Sequence, residues 1–235
     1  MLEAGQNGIF AGAVQFLVLL LAISIHESAH AFAALRAGDS TGADLGRISL
    51  NPIRHIDIVG SIIVPAVLVM AGGPVFGWAK PTPVRVGKLE NPEADHLRVV
   101  LAGPLSNLLT GFAALLALSA VISSLGPGAA ETAALCLLGD VAGAAKGSNF
   151  PMLYTLVQFA FLNGFLAVFN MVPVPPLDGG QVALQLLPRA WASKYSAIRP
   201  YGFMIVLALA AINVLSVILL PVYLLVALVI QLSGQ

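Results

Sequence analysis

Charge is what this sequence has least of. Eleven basic and eleven acidic side chains, 9% of its 235 residues, cancel to a formal net charge of zero, against roughly 25% charged residues in an ordinary soluble domain. With no net field to draw it to a polyanion, no nucleic-acid partner is expected. Cysteine is almost absent too. Cys136 stands alone, which excludes an internal disulfide and a cysteine-based metal cluster. The N-terminus carries Glu3 and no Lys or Arg ahead of its first apolar run. A signal peptide would need a basic n-region there, so the run is expected to be a retained span. No polar stretch is long enough for a soluble peptide-binding module with its own core.

What is present is apolar: 58% of the residues are hydrophobic, in blocks that reach the 20 or so residues needed to cross hydrocarbon. The expectation is an all-α polytopic membrane protein, one domain over 1–235, with core spans near 9–34, 97–125, 152–174 and 201–220. An interrupted apolar segment, 56–76, contains Pro65, Gly72, Gly73 and Pro74. The stretch from Gly77 to Val86 has prolines at 81 and 83 and should be extended, because proline lacks a helical N–H and biases the preceding residue away from the α region. Residues 129–146 are Ala-rich and weakly apolar, a surface helix or a poor span. The last apolar block runs on to Leu232, too long for one perpendicular helix, and Pro221 is the expected kink or turn.

The basic residues orient these spans. If 56–76 dips into the membrane and returns, ten of the eleven basic residues fall on one side, which the positive-inside rule makes cytoplasmic, with the N-terminus outside. If it crosses fully, Lys80, Arg85, Lys88 and Arg98 move to the opposite side unless 129–146 also crosses. The charge count favours the re-entrant segment.

The first span carries His26-Glu27-Ser28-Ala29-His30, an H-E-x-x-H pattern. On a helix, positions i and i+4 share a face, so both imidazoles can reach one ion while the glutamate beside them takes a proton from a water. A histidine in a membrane helix can also simply bond a neighbouring helix. Three ionisable groups within five residues of hydrocarbon-depth helix are expensive, however, and such groups mark function. One zinc per chain is therefore expected.

Two histidines need a third protein ligand. Glu3, Asp39, Asp44, Glu90, Glu93, Asp95 and Glu131 read as loop residues, and Asp140 lies in a weak segment. Asp178 follows a strong span in Pro175-Pro176-Leu177-Asp178-Gly179-Gly180, where prolines forbid regular helix and glycines allow close backbone approach. Helix is expected to restart at Gln181. A carboxylate at a break in a membrane helix is where an ion site belongs, and in the re-entrant topology its span ends at the same cytoplasmic depth as the histidines. Asn170, eight residues earlier, is expected to position substrate or donate to an oxyanion. Asn107, with Gly103-Pro104, suits close helix packing. His55 and Asp57 read as a supporting pair, a lid contact or an interface cluster, and His96 as a solvated loop histidine.

Taken together, these motifs resemble the intramembrane zinc metalloproteases of the site-2 protease family (peptidase family M50), in its compact prokaryotic branch without a PDZ domain. Beside His26–His30, the resemblance rests on Asn170-Met171-Val172-Pro173-Val174-Pro175-Pro176-Leu177-Asp178-Gly179-Gly180, on Gly103-Pro104-Leu105-Ser106-Asn107, and on Gly46-Arg47-Ile48-Ser49-Leu50-Asn51-Pro52 running on to His55-Ile56-Asp57. It implies a site-2-protease-like transmembrane helix core, zinc on His26, His30 and Asp178, Glu27 as general base and acid, and Asn170 against the substrate. The implied partners are transmembrane protein substrates and the lipid bilayer, with homo-oligomerisation left open. The extended 77–86 stretch could offer a short edge to an unwound substrate, or be a plain loop anchored by Trp78. Two other functions remain: a non-proteolytic zinc-binding scaffold of the same fold, and an ion or metal transporter. A transporter would spread its polar groups along a path, whereas here they crowd toward one end.

Overall fold

The computed structural model describes the backbone of residues 2–64, 67, 70 and 78–235. Among these, the helices of eight residues or more are α1 (Leu2–Arg36), α2 (Pro92–Leu125), α3 (Pro127–Leu138), α4 (Phe150–Asn170), α5 (Asp178–Leu186), α6 (Arg189–Ser196), α7 (Gly202–Ala211) and α8 (Val214–Ser233). No strand occurs among the described residues. Four of the described helices, α1, α2, α4 and α8, are long and apolar enough to cross a membrane, as expected of an all-α multi-pass protein. Along α2, Leu105, Leu108, Leu109, Phe112 and Leu116 are exposed. Their three-and-four spacing is one continuous apolar helix face, larger than water tolerates on a monomer and suited to lipid.

The division of the last apolar block differs from expectation. The last apolar block divides at Asn213, which sits in the left-handed region at φ 63°, and not at Pro221, which lies inside α8. Asparagine tolerates that conformation because its short polar side chain bonds locally; here its Oδ1 accepts from Ser216 at 2.8 Å. Proline, in contrast, is absorbed in membrane helices by their neighbours. Residues 129–146 form the twelve-residue α3 and one further turn at Val141–Ala144, about 18 Å of helix at 1.5 Å per residue, too short to span. The expected choice between crossing and re-entry for 56–76 lies largely outside the described residues. Its described start is a π-helical turn, Ile58–Ile63, capped by Asp57 Oδ1 accepting from Gly60 N–H at 2.7 Å.

The chain divides into two compact units, Ile23–Gly103 and Met1–Ala22 with Pro104–Gln235. In the larger, α3 packs against α4 and α8 around Leu118, Ile122, Leu153, Val157 and Val226, all essentially inaccessible. A Cβ on Gly111 would stand 3.2 Å from the Gly164 amide, so bare glycine lets α2 and α4 approach closely, as small residues do in membranes.

In the smaller unit, α1 is closed two residues past its end by Gly38 (φ 100°), with Gly38 N–H on the Leu35 carbonyl and Asp39 N–H on that of Ala34, a Schellman closure. That turn delivers Asp39 into a fully buried position. Its Oδ1 accepts from the Thr41 amide and hydroxyl, and its Oδ2 from the Arg85 amide at 2.6 Å. Burial alone would raise this carboxyl, but those bonds and nearby Lys88 outweigh it and hold it below its ordinary value. Residues 78–85 run without helix beside it, and hereafter are called the strap.

Candidate metal centre

Both histidines of α1 are buried, at 6% and 8% exposure, and so is Asp178 at 7%. A ring nitrogen from His26, another from His30 and a carboxylate oxygen of Asp178 all lie within 4.8 Å of one another. The two Nε2 atoms are 3.1 Å apart. Zinc–nitrogen bonds of about 2.0–2.1 Å in a tetrahedron put ligand atoms about 3.3 Å apart, so the pair matches one edge of such a site. His30 Nδ1 lies 2.7 Å from the carbonyl of Val99. A carbonyl only accepts, so Nδ1 carries the proton and Nε2 keeps the lone pair a metal needs. The residues therefore fit a divalent ion held by two imidazoles and a carboxylate, with coordination left for water and substrate.

Asp178 reaches this position because the chain breaks after α4. Leu177 is extended, and α5 begins at Asp178 itself, three residues before the expected restart at Gln181. The glycines that follow are helical. Their role is clearance, since a Cβ on Gly179 would run into the Met171 carbonyl and one on Gly180 into the backbone at Pro175. The Tyr195 hydroxyl donates to the Pro173 carbonyl at 2.9 Å and ties α6 to the same turn.

Glu27 is half-buried. Its Oε2 accepts from the amide of Thr82 at 2.8 Å, and its main-chain carbonyl from the Thr82 hydroxyl at 3.0 Å. Ser28, the next residue, donates to the Ser49 carbonyl at 2.7 Å and accepts from the Ser49 amide at 3.0 Å. Asn170 is half-buried in the last turn of α4, where its Nδ2 donates to the Leu166 carbonyl at 3.0 Å. Its second N–H and its carbonyl oxygen carry no bond among the described residues.

The remaining polar residues sort by what they touch. Asn107 is fully buried and its Nδ2 donates to the Ala22 carbonyl at 3.0 Å and to Asn163 Oδ1 at 2.9 Å, which is the expected close packing. Asn163 was not singled out in the sequence, although an amide inside an apolar run was the available signal. His55 donates through Nε2 to the Ser49 carbonyl at 2.8 Å, while Asp57 caps the π-helical turn, so the two serve different loops. His96 lies in the first turns of α2, half-buried, where a solvated loop was expected.

The strap is less of an edge than its extended shape suggests. The amides of Trp78, Lys80, Thr82 and Arg85 are bonded within the protein, and 81 and 83 are prolines. Ala79 and Val84 are the two amides left to donate. A regular ladder needs donors on alternate residues, and these two amides do not supply them.

The comparisons agree with this centre. The profile of peptidase family M50 matches residues 14–212. YwhC of Bacillus subtilis is 31% identical over 205 residues, covering 87% of this chain and 83% of its own. Rip2 of Mycolicibacterium smegmatis is 27% identical over 191 residues, 81% of this chain and 63% of its own. The zinc metalloprotease MJ0392 of Methanocaldococcus jannaschii is 24% identical over 186 residues, 79% of this chain and 38% of its own. The chain thus spans most of the first relative and less than two thirds of the other two. No solved structure matches it. With the family profile running from the metal helix past the Asp178 turn, and two histidines and an aspartate converging as a metal site requires, the chain belongs to peptidase family M50 as a membrane-embedded metallopeptidase.

Proposed function

We propose that this chain is a zinc-dependent intramembrane endopeptidase that cleaves transmembrane proteins in or near their membrane-spanning segments, its active site toward the cytoplasm. The observation that carries the reading is the convergence of His26, His30 and Asp178 to within 4.8 Å in buried surroundings. His26 and His30 would bind through Nε2, and Asp178 through a carboxylate oxygen. Zinc held there would supply Lewis-acid polarisation of the scissile carbonyl and acidify a water.

The chain's own groups do the rest. Glu27, next to His26 in sequence and one helix position round from it, takes the proton from the attacking water and returns it to the leaving nitrogen. Asn170 offers its second N–H to the oxygen that gains charge as the carbonyl is attacked. A helical substrate must unwind before its carbonyl is available, since its amides are paired within the helix. The strap, extended and next to Glu27 through Thr82, lies beside the unwound chain.

The test is cleavage of a panel of single-span membrane substrates by the purified protein, with Glu27→Gln as control. Cleavage lost in the control supports the reading. One bound zinc without cleavage by the wild type would make the chain a scaffold, and cleavage surviving in Glu27→Gln would remove the general base.

A further inference from the structure

We propose that the backbone amide of Thr82 is a positioning group for the reaction: it holds one oxygen of Glu27 so that the other faces the water. This rests on the reading of Glu27 as general base. A glutamate has three side-chain torsions, and a half-buried one with no anchor samples several rotamers. Here Oε2 is tied to the Thr82 N–H at 2.8 Å, a charge-assisted bond of the stronger kind. A carboxylate has two oxygens and about four lone-pair sites, so Oε1 stays available for a proton.

The sequence makes this donor specific. In Pro81-Thr82-Pro83 the flanking residues have no N–H, so Thr82 supplies the single amide of the three. The prolines also restrict the backbone to extended conformations, so the amide is presented without further ordering. The side chain fixes the register. Its hydroxyl bonds the Glu27 carbonyl at 3.0 Å, and its methyl faces Gly42, where a Cβ would stand 3.3 Å from Thr82 Cγ2 and 3.2 Å from Ala31 Cβ.

The strap is in turn moored to the metal helix. Trp78 N–H reaches the Gly60 carbonyl at 3.1 Å and Lys80 N–H the His55 carbonyl at 2.8 Å. The buried Arg47 guanidinium donates to the Arg54 carbonyl at 2.6 Å and to that of Lys80 at 3.5 Å. His55 bonds Ser49, and Ser49 bonds Ser28, which is the residue after Glu27. The circuit leaves α1 at Ser28 and returns to it at Glu27. The segments 47–55 and 78–85 thus act as one brace on the carboxylate.

Two measurements test this. The first is amide exchange in the metal-free and zinc-loaded full chain, wild type against Glu27→Ala. Thr82 should exchange at least tenfold faster in the variant, while Lys80, bonded to a carbonyl, keeps its protection. An unchanged Thr82 rate would overturn the proposal, whatever the other variants do. The second is single-turnover cleavage. Thr82→Pro removes the N–H and keeps extended backbone, and should lower kcat about tenfold or more with KM and bound zinc unchanged. Thr82→Val, which keeps the amide and a methyl, should recover most of that loss. Wild-type kcat in Thr82→Pro, or equal loss in both variants with zinc or KM disturbed, would overturn the positioning role. With Glu27→Gln inactive, that failure touches Thr82 alone; with Glu27→Gln active, the general-base reading fails instead.

Discussion

Gly103 lies so close to His30 that a Cβ on residue 103 would collide with Nε2 and Cε1 of the imidazole, and with Cε1 of His26 beyond it. The next residue, Pro104, sits inside α2 and brings no N–H to the carbonyl four residues back. Bare glycine therefore leaves the room that the two imidazoles occupy, and Val99 of the same stretch orients His30.

Gly103→Ala should accordingly weaken metal binding without unfolding the chain. The added methyl displaces the ring nitrogen meant for the ion, and a misplaced ligand costs about 10- to 100-fold in metal affinity. Competition with a chromophoric zinc chelator measures the change, alongside helix content from circular dichroism. Wild-type affinity in Gly103→Ala would show that the imidazoles bind in another orientation.

The first span, the H-E-x-x-H pair and Asp178 were legible because each is written locally: an apolar run, a four-residue spacing, a carboxylate after prolines. The Glu27–Thr82 bond was not, because its partners are 55 residues apart and backbone donors leave no residue-type signature. Proline misled at 221. It marks breaks in water, while here the break falls at Asn213, between α7 and α8, where the signal was one polar residue among apolar ones. Asn163 carried that same signal and its meaning depended on Asn107, an interhelix partner visible only in the fold.

Topology can be checked directly. Single cysteines placed at Asp39, Glu90 and Lys194, in a Cys136→Ala background, should label from the cytoplasmic face of intact cells, with Glu131 labelled from the opposite face. Asp39 is buried, so Ser40 is a substitute if that position does not react. Cytoplasmic labelling at 39 with external labelling at 90 would show that 56–76 crosses, against the positive-inside count.

Asp39 gives a pH prediction. Its folded carboxyl is held below the ordinary value, so the unfolded chain binds the proton more readily. Its contribution is then fully present above the unfolded value of about 3.9 and is lost as pH falls through the depressed folded value. Asp39→Asn turns one acceptor into a donor facing an N–H, and should destabilise at neutral pH on the order of 2 kcal/mol. Thermal unfolding in detergent should show the wild-type advantage shrinking below about pH 4. An advantage constant down to pH 3 would mean that the carboxyl is not anchored by the Thr41 and Arg85 amides.

Asp178 and Asn170 should fail differently, and the difference separates ligand from substrate contact. Asp178→Ala removes a charged ligand, so bound zinc and cleavage should fall together, as they should for His26→Ala and His30→Ala. Asp178→Asn keeps an oxygen in place but alters the charge that tunes the water, so activity should fall further than metal content. Among the described residues Asn170 bonds the Leu166 carbonyl of its own helix, and its loss should leave close to one zinc per chain. If its second N–H donates to the oxyanion, Asn170→Ala should lower kcat on the order of 10²-fold with KM little changed. If it only clamps the substrate backbone before reaction, KM should rise while kcat holds. Elemental analysis and single-turnover cleavage on the same preparations decide the matter. Zinc lost in Asn170→Ala but kept at wild-type affinity in Asp178→Ala would invert the assignment and move the third ligand to the end of α4.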